Sequence, residues 1–165
     1  MADAGALKST FVRLWKERRA VALIEFAIVM PVLVLLLLPL ADLGMAFYAK
    51  TQVMTAAQAG AEYAFLHSTG WTTASVQTAV TGATSLSVSA TPAPSLKCGY
   101  ISGTTVTYLS GSWTQSSCVA STSCGSVACG AYVQVNAQSN YTALFTYLIF
   151  GGSSTLSATS IVRVQ

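Results

Sequence analysis

RRAVALIEFAIVMPVLVLLLLPLADLGM, Arg18 to Met45, is the stretch from which the rest of the chain is read. A basic pair opens an apolar run that one carboxylate, Glu25, interrupts. From Ala20 to Ala41 the run is about 22 residues, against the roughly 20 that a helix needs to cross the hydrocarbon of a bilayer. A secretory signal has an apolar core of only about 7 to 15 residues followed by a small-residue cleavage site, so the pattern predicts a spanning helix and not a removed signal.

The flanks set the orientation. Lys8, Arg13, Lys16, Arg18 and Arg19 all precede the span, so the positive-inside rule predicts a cytoplasmic N-terminus and a C-terminal domain on the outer side. Residues 1–7 carry no pattern and read as a short tail. The flank FVRLWKERR, Phe11 to Arg19, reads either as the start of an interfacial helix or as a solvated basic segment that only fixes topology. The expected division is a basic leader over 1–19, a transmembrane helix over 20–45 and one modest domain over 46–165.

Of the 165 residues 53% are hydrophobic and 8% charged, where globular chains carry about 25% charged. After Glu62 the only formal charges are Lys97 and Arg163. A nucleic-acid-binding domain needs a basic stripe, so that class is excluded. With no Asp or Glu after Glu62, paired-carboxylate hydrolysis and carboxylate metal sites have no residues to use there. A Ser-His-Asp relay would need His67, the lone histidine, and an orienting acid that the domain lacks. No Gly-rich Lys loop for phosphate occurs either. The expectation is a protein that is not an enzyme, with no cofactor and no metal.

Cys98, Cys118, Cys124 and Cys129 all fall on the side expected to be oxidising, where an even number reads as two disulfides. Their spacing lacks the close pairs of a zinc site. Three connectivities are open.

Glu25 lies about one and a half turns inside the span, where a lone ionised carboxylate is costly. It is therefore the leading functional candidate, the alternative being a position shallow enough to reach headgroups. Pro31 and Pro39 each remove a helix hydrogen bond, from the carbonyls of Ala27 and Leu35, and read as shape elements.

The ordered set Arg18, Arg19, Ala20, Glu25, Phe26, Pro31, Asp42, Gly44, Ala59, Gly60 and Ala61 resembles the N-terminal signature of TadE-like pseudopilins of the bacterial tight-adherence (Tad, or Flp) pilus apparatus. The resemblance covers about the first 65 residues strongly and the last 40 or so weakly. It implies cleavage by a prepilin peptidase between Ala20 and Val21, which leaves Glu25 as the fifth residue of the mature chain. Ala20 stands where Gly is usual. The resemblance also implies that Glu25, beside Phe26, pairs with the new N-terminal ammonium of a neighbouring pilin or pseudopilin. Its implied partners are those subunits, the peptidase and the Tad assembly platform of the inner membrane, besides the lipid bilayer.

Beyond Asp42 the helix is predicted to continue to about Leu66. Carried back to Thr10, it would span about 85 Å at 1.5 Å per residue. Ala56, Gly60 and Ala64 form a small-residue stripe for close packing, on the protein's own domain or on a neighbouring subunit. His67 reads as a histidine meeting the last helical carbonyls, and Gly70 as a cap. Trp71 to Ala83 reads as a short second helix capped by Thr72 or Thr73. Strands are predicted at Leu86–Ala90, Thr104–Leu109, Ala131–Ala137 and Leu156–Val164. The fold class is α+β: the long helix, the short one and an antiparallel sheet of about four strands packed on one face.

Ser110 to Gly130 reads as a long loop stapled by cysteines. Tyr141 to Phe150, YTALFTYLIF, reads as core, membrane-touching edge or subunit contact, and Asn140-Tyr141-Thr142 matches a glycosylation sequon. Two functional readings follow: a minor pseudopilin that assembles through its N-terminal helix, or a permanently anchored adhesion module whose stapled loop binds a surface. The mature N-terminus separates them.

Overall fold

The computed structural model describes residues 18–121, 123–125, 127–144 and 152–165, with side chains from residue 21 onward. The N-terminal tail, the basic flank before Arg18 and residues 145–150 of the apolar segment lie outside the described residues. The chain divides into two compact units, Met1–Leu43 and Gly44–Gln165.

Helix α1, Arg18–Leu66, is a single element of 49 residues that carries both Pro31 and Pro39. Its continuity past Asp42 follows from the run of Ala, Met and Gln after Gly44, residues of high helix propensity. The helix ends where His67 meets it: the Nδ1 of His67 is 3.0 Å from the carbonyl oxygen of Tyr63, and its ring stacks on the Tyr63 ring at 4.2 Å. Gly70 donates its N–H to the His67 carbonyl and does not adopt the left-handed conformation of a glycine cap. Helix α2, Thr73–Gly82, starts in a capping box in which Thr72 and Ser75 exchange side-chain to backbone bonds.

Four strands follow: β1, Ser95–Ser102; β2, Thr105–Tyr108; β3, Gly130–Thr142; and β4, Ser153–Arg163. They form one antiparallel sheet in the order β2-β1-β3-β4. Strand β1 replaces the expected strand at Leu86–Ala90. That segment does alternate, with Val88 and Ala90 buried, but it makes only one bridge, Ser89 to Gln138. Two prolines, Pro92 and Pro94, have no N–H to extend the ladder. Side chains hold the segment instead: the Ser139 hydroxyl donates to the Ser87 carbonyl at 2.8 Å and the Asn136 amide to the Pro92 carbonyl at 3.3 Å. The cysteine-rich loop also differs from expectation by containing a short helix, α3, Gln115–Val119, opened by a Thr114–Ser117 capping box.

The core of the second unit lies between α1, α2 and one face of the sheet. Val53, Ala56, Ala57, Ala61 and Ala64 meet Val76 and Val80 of α2 and Val133, Val135 and Ala137 of β3. Leu156, Ala158 and Val162 complete that face, as the alternation of β4 predicts.

Candidate functional site

The small-residue stripe is used by the domain itself. Ala56 and Ala64 are wholly buried, and a Cβ added to Gly60 would lie 2.5 Å from Val80 and 2.8 Å from Val135. Only glycine lets α1 approach both neighbours at this point. The stripe is therefore not free for a neighbouring subunit, whereas the first half of α1 is exposed.

Between Val21 and Ala41 no residue is buried, and Leu23 and Ile28 are 69% and 68% exposed. An 18-residue window within α1 has a mean hydropathy of 2.9, long and apolar enough for a membrane crossing. A helix that is apolar on every side needs a lipid or protein covering, because water cannot solvate it favourably. Glu25 is the one carboxylate of this segment and is exposed. Between Arg19 and Lys50 the sequence holds no basic residue, so this stretch of α1 supplies no counter-charge of its own. Asp42, at the end of the segment, is 2% exposed. Pro31 cannot donate to the Ala27 carbonyl, and an apolar groove opens there between Phe26, Ala27, Met30, Pro31, Val34 and Leu35.

The match is to this part of the chain. Residues 20–62 match the family model of the TadE-like protein. The resemblance to that family is thereby borne out over Ala20 to Ala61, with Arg18 and Arg19 just before the matched residues. The TadE-like segment holds Ala20 and Val21 at its start, Glu25 and Phe26 one turn later, and Ala56 and Gly60 near its end. No curated protein and no solved structure matches the chain.

The four cysteines pair as Cys98–Cys118 and Cys124–Cys129, with Cα separations of 5.5 and 5.6 Å. The first ties β1 to α3, and the second closes a short loop before β3. Sequence reasoning missed β1, although Leu96, Cys98 and Tyr100 alternate at period two and Gly103, with φ of 64°, marks the following turn. It also missed Lys50, whose Nζ donates to the Ser157 carbonyl of β4. On β2, burial and then the neighbouring Tyr132 raise the Tyr108 phenol above its ordinary value. Among the described residues no group of three or more His, Cys, Asp and Glu side chains is placed to hold a metal.

Proposed function

We infer that the chain is a minor pseudopilin, a structural and assembly component of a bacterial tight-adherence (Tad/Flp) pilus, and that it is not an enzyme. The observation that carries this reading is the TadE-like match over residues 20–62 laid on a helix segment that is apolar all round, unburied, and marked by one carboxylate with no basic residue between Arg19 and Lys50.

In this reading the basic leader stays on the cytoplasmic side of the inner membrane and the Gly44–Gln165 unit lies outside it. A prepilin peptidase cuts between Ala20 and Val21 and creates an ammonium at Val21. Glu25, four residues on, lies on the same face of the helix. The ammonium of a neighbouring subunit meets the Glu25 carboxylate only on assembly, so each charge is compensated when docking is correct. Burial favours such a pair when hydrogen bonds complete it.

Intact mass of the protein extracted from its membrane tests the processing, and the expected species begins at Val21. Glu25→Gln is expected to be cleaved normally but to enter the assembled complex at least about tenfold less, because it leaves the neighbour's ammonium buried and unpaired. Retention of Met1 together with undiminished Glu25→Gln incorporation would overturn this role in favour of a tethered adhesion module.

A further inference from the structure

Both outer strands of the sheet lack a partner among the described residues, and their free edges are complementary. Hydrogen bonding tells which main-chain groups face outward. Gln138 exchanges both of its backbone bonds with Ser89, on the side of β3 away from β4. Its opposite residue on β4 is Ser157. In an antiparallel ladder bonded and non-bonded pairs alternate, so Ser157 presents its N–H and C=O to the free edge, as do Ser153, Thr155, Thr159, Ile161 and Arg163. Lys50 donates to the Ser157 carbonyl, which agrees with this assignment.

On the other edge, Leu109 donates to the Cys98 carbonyl. Thr107 and Thr105 therefore face β1, and Val106 and Tyr108 turn their main-chain groups outward. No residue of β2 or β4 is fully buried. Neither strand contains proline, and Arg163 at the very end of β4 is the only charge on either. Among the described residues the edges are blunted only by Lys50 at Ser157, by Arg163 and by the shortness of β2.

We propose that the β4 edge of one molecule receives the β2 edge of a second copy, continuing the sheet from chain to chain. Three observations select this occupant and its register. First, the order β2-β1-β3-β4 is antiparallel throughout, so β4 and β2 run in opposite senses and two copies pointing the same way meet as antiparallel neighbours. A β4-to-β4 pairing needs a two-fold axis perpendicular to the sheet. That axis turns the two sheets end over end relative to one another, so it cannot relate copies that point the same way. Second, Lys50 caps the edge at Ser157 and leaves the portion from Thr159 onward open, a length that suits the four residues of β2. Third, Ile161, Val106 and Ile101 are 44%, 37% and 49% exposed, and Val106 and Ile101 are already cross-strand partners.

Ile161 opposite the second copy's Val106 makes one apolar strip across three strands, and Thr159 then faces Tyr108. Such cross-strand pairs are the stabilising unit of a sheet. The inference does not depend on the role of Glu25.

In this register Ser160 and the second copy's Thr107 form a non-hydrogen-bonded pair, whose Cα atoms lie about 4.5 Å apart, within disulfide range. Full-length Ser160→Cys and Thr107→Cys chains carrying different tags are co-expressed and oxidised in native membranes with copper phenanthroline. The mixed product is expected at least about tenfold above either same-site product, because same-site pairs are too far apart to bridge. Val106→Pro, which removes an edge N–H without touching the β1 ladder, and Ile161→Lys, at an exposed position, are each expected to abolish the mixed product. Absence of the mixed product, same-site products in equal yield, or a mixed product that survives both variants would overturn the proposal.

Discussion

At Gly60 a single hydrogen in place of a methyl decides how closely α1 approaches α2 and β3. Alanine would gain about 1 kcal/mol of helix propensity. It would also place a carbon 2.5 Å from Val80 and 2.8 Å from Val135. Overpacking of that kind costs about 1–3 kcal/mol, so Gly60→Ala is expected to lower the melting temperature, and Gly60→Leu to lower it further, in thermal unfolding of the detergent-solubilised protein. The glycine was legible as a packing residue from its four-residue spacing with Ala56 and Ala64. Its neighbours were not, because spacing along a helix says which face is small and nothing about what lies against it. Glu25 was legible for a different reason: cost alone singles out a carboxylate in an apolar run.

At the scale of elements, periodicity succeeded where the backbone bonds could follow it. Helix α2 begins at its predicted cap, and β3 and β4 contain the predicted alternation. It failed at Leu86–Ala90, where the side chains alternate but two prolines and a set of side-chain bonds take the place of a ladder. It failed again at β1, whose sequence SLKCGYIS interleaves Leu96, Cys98 and Tyr100 with Lys97 and Gly99, residues of low strand propensity that mask the alternation. The Cys98–Cys118 bond anchors that strand to α3 across a sequence separation of 20 residues. Removing it by Cys98→Ala with Cys118→Ala is expected to cost about 3 kcal/mol in urea unfolding, with a larger m-value because the unfolded chain is no longer cross-linked there. Loss of the Cys124–Cys129 bond, which closes a separation of 5, is expected to cost less.

For the whole molecule, the two units differ in what they require of their surroundings. The first exposes apolar side chains in every direction, whereas the second has its own core. A fragment comprising residues 44–165, secreted into an oxidising compartment, is expected to fold with both disulfides and to run as a monomer in light scattering without detergent. The full chain is expected to need detergent. Four edge hydrogen bonds and one apolar strip cannot hold freely diffusing fragments together against the entropy of association, but anchoring in a shared bilayer raises their effective concentration. The charge pattern of this second unit has a practical consequence. Lys50, Glu62, Lys97 and Arg163 are its only charged side chains, so its surface is mostly uncharged. Ionic screening, which loosens most peripheral proteins from membranes, has little to act on here. Concentrated salt washes should leave its contacts undisturbed, while urea, which solvates peptide groups, should release them.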